Sequence, residues 1–217
     1  MYISLNHYIK NVLEKYKDEK SIYDRLVIYF EKNLAARKYA EVCEEKGWYC
    51  IIDHLTVRTY NIDKAAEHFI KFGYKYDEKI DYKNEGWYAK VYRHPKYPVM
   101  FVDQTYDDAP ESLQIIKKWV DKFGDKDYHH IAALIPKGIQ IEEVIDLLKK
   151  KGINFPGKVT GPKGTRLRQI FTQAEVVDGQ PYSVLELAQR NPDAKTGKIY
   201  PGFISEQADS LMKDSVL

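Results

Sequence analysis

Through residues 2–47 apolar positions recur at steps of three and four, with Tyr23, Leu26, Val27, Phe30, Leu34 and Ala35 on one helical face. The pattern predicts two helices with a break near residues 18–21, Ser21 capping the second and Gly47 stopping it. From Trp48 the texture changes. WYCIIDHLTVRTY is rich in β-branched and aromatic residues and predicts a strand. Asn61 and Gly73 then bracket an amphipathic helix, and strands are expected over 74–81, 87–92 and 98–104, with His94-Pro95-Lys96 as a turn.

After a connecting helix over 111–123 the same order returns. A strand is predicted over 128–135 and a helix over 141–150, closed by Gly152. A Gly- and Pro-rich loop, FPGKVTGPKGT, leads to a strand over 166–176, an Asp178-Gly179 turn and a final strand over 181–190. The repeat is visible residue by residue. His54 falls over His130, and YPVMFVDQ (97–104) lies over YSVLELAQ (182–189) with Tyr, Val and Gln in register. The expected fold is α+β: two βαβββ modules, about 48–106 and 126–190, forming a curved mixed sheet. A helical cover (1–47) precedes them, and a surface extension (191–217) with few apolar residues follows.

Composition narrows the function. Lys and Arg total 34 of the 217 residues against 32 Asp and Glu, a balance that gives no reason to invoke nucleic acid or an anionic membrane. No apolar run is long enough to span a bilayer, and the charged N-terminus lacks the form of a signal peptide. Cys43 and Cys50 make neither a disulfide framework nor a zinc ribbon. A cytoplasmic location is expected.

The candidate chemistry follows from strand alternation. His54, Thr56 and Arg58 share one face of their strand while Leu55 and Val57 take the other. In the last strand Leu185 and Leu187 take the helix side, which leaves Glu186 facing inward, where a carboxylate needs a partner. The four repeat-related positions are His54, Phe101, His130 and Glu186. Phe101 cannot ligate, so two His and one carboxylate remain, the facial set of non-haem Fe(II) oxygenases; zinc with a bound water would use the same ligands. Each residue taken singly has a structural reading: His54 as a core histidine, Glu186 as the partner of Arg58 or Arg168. His129 is expected to face away by alternation, and His7, His68 and His94 to face solvent. Arg58, about 13 Å along the strand from His54, can reach back to hold a carboxylate in a bidentate pair. Arg166, Arg168 and Gln169 lie on a neighbouring strand, and alternation alone does not choose which faces the cavity; Arg168 and Gln169 are taken as substrate-binding candidates.

Asp-His-Leu-Thr-Val-Arg-Thr at 53–59, the His130 strand and Leu-Glu-Leu-Ala-Gln-Arg at 185–190 resemble the 2-oxoadipate dioxygenase/decarboxylase family and, more broadly, the vicinal oxygen chelate superfamily. The resemblance implies Fe(II) at His54, His130 and Glu186, with Zn, Ni, Mn or Co as alternatives, and a substrate held by Arg58. It further implies oxidative decarboxylation of a 2-oxo acid such as 2-oxoadipate by O2, giving 2-hydroxyglutarate and CO2. A homodimer is compatible with it; nucleic-acid and membrane partners are not expected. The rival readings are a metal-dependent lyase or isomerase of the glyoxalase type and a non-catalytic binding protein on the same fold.

Overall fold

The computed structural model describes residues 7–204 and Leu211. Its elements run α1 (His7–Glu14), α2 (Lys20–Lys32), α3 (Leu34–Lys46), β1 (Ile52–Arg58), α4 (Ile62–Phe72), β2 (Lys75–Tyr82), β3 (Trp87–Arg93), β4 (Val99–Thr105), α5 (Ile115–Phe123), β5 (Asp127–Leu134), α6 (Ile141–Lys150), β6 (Leu167–Phe171), β7 (Glu175–Val177) and β8 (Gln180–Arg190). The strands hydrogen-bond in the order β2-β3-β4-β1-β5-β8-β6, and β7 also pairs with β8. The sheet is mixed, because β1 and β4 are parallel while the β2–β3, β3–β4 and β6–β8 pairs are antiparallel. The fold is therefore α+β, as the pattern predicts. No described helix is long and apolar enough to cross a membrane.

The chain divides into two compact units, Asp53–Ile131 and Met1–Ile52 with Ala132–Leu217. In the first, β1-α4-β2-β3-β4 is a full βαβββ module. Asn61 caps α4 by accepting from the Lys64 amide, and Gly73 ends it in the left-handed region at φ 110°. Edge strand β2 is mostly exposed and carries Lys75, Asp77, Glu78, Lys79 and Asp81, charges that discourage pairing with another chain.

The second unit contains the other repeat in altered form. The expected strand over 166–176 is broken at Thr172–Ala174, because the Thr172 hydroxyl, in place of a backbone carbonyl, accepts from the Leu185 amide. The strand equivalent to β2 is reduced to a single bridge between Thr160 and Gln169 in the Gly- and Pro-rich loop. Asp178 and Gly179, at φ 49° and 75°, form the tight turn between β7 and β8.

One identity in the repeat has a physical cause. The Gln104 side-chain oxygen accepts from the Ile62 amide at 2.9 Å, and that of Gln189 accepts from the Ile141 amide at 3.0 Å. Each glutamine thus ties the last strand of its module to the start of the module's helix, satisfying one orphan N–H at that end.

The N-terminal segment differs from expectation. It forms three helices, because Asn33, in an extended conformation, ends α2 and caps α3 by accepting from the Ala36 amide. Its amide group donates to Ser183 Oγ at 3.1 Å, Glu175 accepts from the Leu34 and Ala35 amides, and Arg37 donates to the free carbonyls of Phe30 and Glu31. Ser21 is not the cap of α2. Glu19 is, and its carboxylate accepts from both the amide and the hydroxyl of Ser21. Tyr29 donates its hydroxyl to the Val184 carbonyl, and Tyr39 to that of Leu134. In the tail, expected on the surface, Leu211 is instead buried with Phe171, Ala174 and Val184.

Asn33 is fully buried and makes two side-chain hydrogen bonds that hold α3 in place. Asn33→Ala is expected to lower the unfolding free energy by about 2 kcal/mol, read from urea midpoints at unchanged m-value.

Candidate metal centre

Strand β1 delivers its side chains as alternation requires. Leu55 and Val57 are fully buried on one face, and His54, Thr56 and Arg58 occupy the other, each 2–3% exposed. His54 Nδ1 lies 2.9 Å from Asp53 Oδ2. This bond fixes the ring, the arrangement in which a carboxylate orients a metal-binding imidazole. Asp53 was not foreseen in this role.

His130 projects from β5 with its ring centroid 5.5 Å from that of His54. Its Nε2 is 2.8 Å from the Thr56 hydroxyl, and its Nδ1 is 3.0 Å from His129 Nδ1. Burial, helped by His54 and Arg58, holds the His130 imidazole well below its usual pKa, and burial with Arg58 and His130 does the same for His129. Both rings are therefore neutral near pH 7, the form that ligates metals. His129 departs from expectation. Its ring packs edge-on against Trp119, yet its Nδ1 reaches back to His130 and can set the neighbouring ring's tautomer.

Glu186 lies on β8, 2% exposed, and accepts from Gln169 Nε2. His54, His130 and Glu186 each offer one ligand atom, and these atoms all lie within 4.8 Å of one another. Donors around a shared ion at about 2.1 Å are roughly 3–4 Å apart, so small side-chain rotations close the set. Three buried groups, two imidazoles and a carboxylate, fit a divalent metal in the 2-His-1-carboxylate pattern. The fourth repeat-related position is Phe101, whose ring centroid is 5.2 Å from that of His54.

The structure separates the remaining candidates. Gln169 touches Glu186. Arg168, on the opposite face of β6, is not at the centre: its guanidinium forms a two-point pair with Glu142 and donates to Gln189 Oε1 and the Gly161 carbonyl. That pair holds Glu142 down to about 2. Arg166 is exposed, near Asp193 and over the Tyr200 ring.

Arg58 is buried, with its guanidinium 5.3 Å from the centre of the Trp119 ring; burial lowers its pKa to about 10 against the opposing pull of Asp103. Asp103 pairs with Arg58 in the β1–β4 register and shares its parity with Phe101, yet it was not singled out in the sequence. Its carboxyl is pushed up to about 7 by burial, with Arg58 and His54 pulling the other way. Two-residue alternation from Phe101 along YPVMFVDQ was the signal that could have found it.

No family model and no curated protein matches the sequence. Solved structures do match its fold. The hydroxyglutarate synthase of Oryza sativa, solved with 2-oxoadipate, superposes with a TM-score of 0.74 at 16% identity, over 96% of this chain and 93% of that one. A Shewanella frigidimarina protein provisionally described as a hydrolase gives 0.67 at 22% identity, over 94% and 99%. A 4-hydroxymandelate synthase variant from Streptomyces coelicolor gives 0.61 at 16%, over 77% and 54%. The chain shares the fold of these proteins, and the three ligand atoms it brings together could hold a metal ion.

An acid whose folded pKa lies above its unfolded value binds its proton more tightly in the folded state, so stability falls as pH rises between the two values. For Asp103 that window runs from the ordinary 3.8 to about 7. In chelator-treated protein Asp103→Asn is expected to gain about 1 kcal/mol or more over the parent between pH 4.5 and pH 8, measured by urea unfolding at both.

Proposed function

We propose that the protein is a non-haem Fe(II)-dependent dioxygenase that decarboxylates a small 2-oxo acid, 2-oxoadipate being the leading candidate. The observation that carries this reading is a set of three protein ligands, His54, His130 and Glu186, with phenylalanine rather than a fourth ligand at the remaining repeat position. Three ligands on one side of an ion leave room for a two-point substrate and for O2. The similarity to a synthase solved with 2-oxoadipate agrees with it. The overall conversion balances: a 2-oxo acid and O2 give CO2 and the 2-hydroxy acid one carbon shorter, so 2-oxoadipate gives 2-hydroxyglutarate.

Bound Fe(II) would supply the site where the 2-oxo acid and O2 meet and the electrons for O2 activation. The protein's own residues do the rest. Asp53 and His129 orient the two imidazoles, and Gln169 holds the Glu186 carboxylate by donating its side-chain N–H to Oε1. Arg58, kept charged and fixed by β1 and the Trp119 ring, holds a substrate carboxylate. Burial of all these groups excludes bulk water and strengthens each contact with the substrate. A glyoxalase-type lyase is the second reading; Phe101 disfavours it by denying the fourth protein ligand expected at such centres.

Protein purified without oxygen is expected to carry about one divalent metal per chain, lost in Glu186→Ala, as read by elemental analysis. Arg58→Lys is expected to keep the metal while kcat/KM for the 2-oxo acid falls by one to three orders of magnitude, about 1.4 to 4 kcal/mol of transition-state stabilisation. Oxygen uptake across 2-oxo acids of graded length checks both substrate and variant. Zero uptake with every acid by the iron-loaded protein contradicts the dioxygenase reading.

A further inference from the structure

Cys43 and Cys50, the only cysteines of the chain, lie outside the metal-ligand set, yet the fold brings them together. Tyr39 and Cys43 are one turn apart on the buried face of α3. Gly47, at φ 67°, ends that helix, and the Trp48 amide donates to the Cys43 carbonyl at 2.8 Å, so the chain turns back at the last turn of α3. Cys50 follows two residues later. Leu134 fixes the returning segment. Its amide donates to the Ile51 carbonyl at 2.9 Å, and its carbonyl accepts from the Tyr39 hydroxyl at 3.2 Å. A single residue of β5 therefore holds both the neighbour of Cys50 and the residue one turn before Cys43.

The two thiols meet there in hydrogen-bonding contact, and the Tyr39 hydroxyl also reaches Cys43. The Cys50 hydrogen bond, helped by Tyr39, holds the Cys43 thiol below its usual pKa against the effect of burial. The same contact, with burial, pushes the Cys50 thiol well above its usual value. The pair thus ionises as a unit, sharing one proton between two sulfurs. Cys43 is buried, whereas Cys50 is half-buried between exposed Tyr49 and Ile51. An outer sulfur that a reagent can reach, in contact with an inner one that ionises readily, is the arrangement of an attacking and a resolving thiol.

We propose that Cys43 and Cys50 form a reversible redox site, a dithiol that a small-molecule disulfide converts to an intramolecular disulfide. Cys50 passes the shared proton to Cys43 and attacks the small disulfide, forming a mixed disulfide and releasing one thiol. Cys43 then attacks the Cys50 sulfur, the bond between the two cysteines forms, and the second small thiol leaves. The protein gives up two electrons and two protons, and one small disulfide becomes two thiols. The bridge ties the end of α3 to the chain just before β1, four residues ahead of His54.

The test equilibrates the full chain under argon with graded ratios of oxidised to reduced glutathione, followed by acid quenching, alkylation and intact mass measurement. The wild type is expected to lose both thiols in one transition, its mass falling by two hydrogens, and to recover them with dithiothreitol. Its midpoint should lie at a ratio about tenfold or more less oxidising than that of the urea-unfolded chain, because contact in the fold raises the effective concentration of one thiol at the other. Cys43→Ser should stop at a glutathione adduct on Cys50, and Cys50→Ser should keep its buried thiol unmodified. A wild type that ends as the adduct, or that cross-links no more readily than the unfolded chain, overturns the proposal. So do thiols that persist in fully oxidised glutathione, and disulfide-linked dimers in place of the internal bridge.

Discussion

A carboxylate carried into the middle of a packed sheet face must find compensation there, and Glu186 sets that requirement for this molecule. It sits on β8 between Leu185 and Leu187, 2% exposed, and accepts from Gln169. A charge so placed is destabilising by several kcal/mol unless other groups neutralise it. The imidazoles of His54 and His130 lie within ligand reach of it. A divalent cation shared by the three would offset the carboxylate, and its binding would then be part of the folding free energy. Much of the surrounding polar detail follows, since each ligand needs a neighbour to fix its orientation: Asp53 for His54, His129 for His130, Gln169 for Glu186.

The opposite faces of the strands supply the stability that this polar face lacks. Leu55, Val57, Met100, Val102 and Leu187 are all fully buried. The helices are fastened to strands by specific hydrogen bonds as well as by apolar contact. Gln104 and Gln189 each tether the start of a module's helix, and Tyr29, Asn33 and Tyr39 tether the N-terminal helices. Glu142 serves a similar purpose: it engages Arg168 away from the metal ligands, so that a cation on β6 joins α6 to the sheet. Arg168 is thus committed to the architecture of this unit.

The element order, the repeated module and the three ligands were legible in the sequence because each depends on a local rule. Helical period, strand alternation and the caps Asn61 and Gly73 are properties of a few consecutive residues. Alternation placed His54 and Glu186 on inward faces from one residue's parity relative to its leucine neighbours. The duplicated pattern then brought His130 and Phe101 into the same comparison.

Long-range contacts decided the rest. Asn33 breaks a continuous helical pattern because Ser183 and Glu175, some 140 to 150 residues away, meet it there. The choice between Arg168 and Gln169 required Glu142 on one side of β6 and Glu186 on the other. Asp103 acquires its character only when β4 lies beside β1 in parallel, an adjacency that places it opposite Arg58 and removes it from water. The sequence by itself determined which residues could face inward, since that is set along one strand. Only the tertiary structure decided which of them meet, because strand neighbours, burial and charge are set by residues distant in the chain.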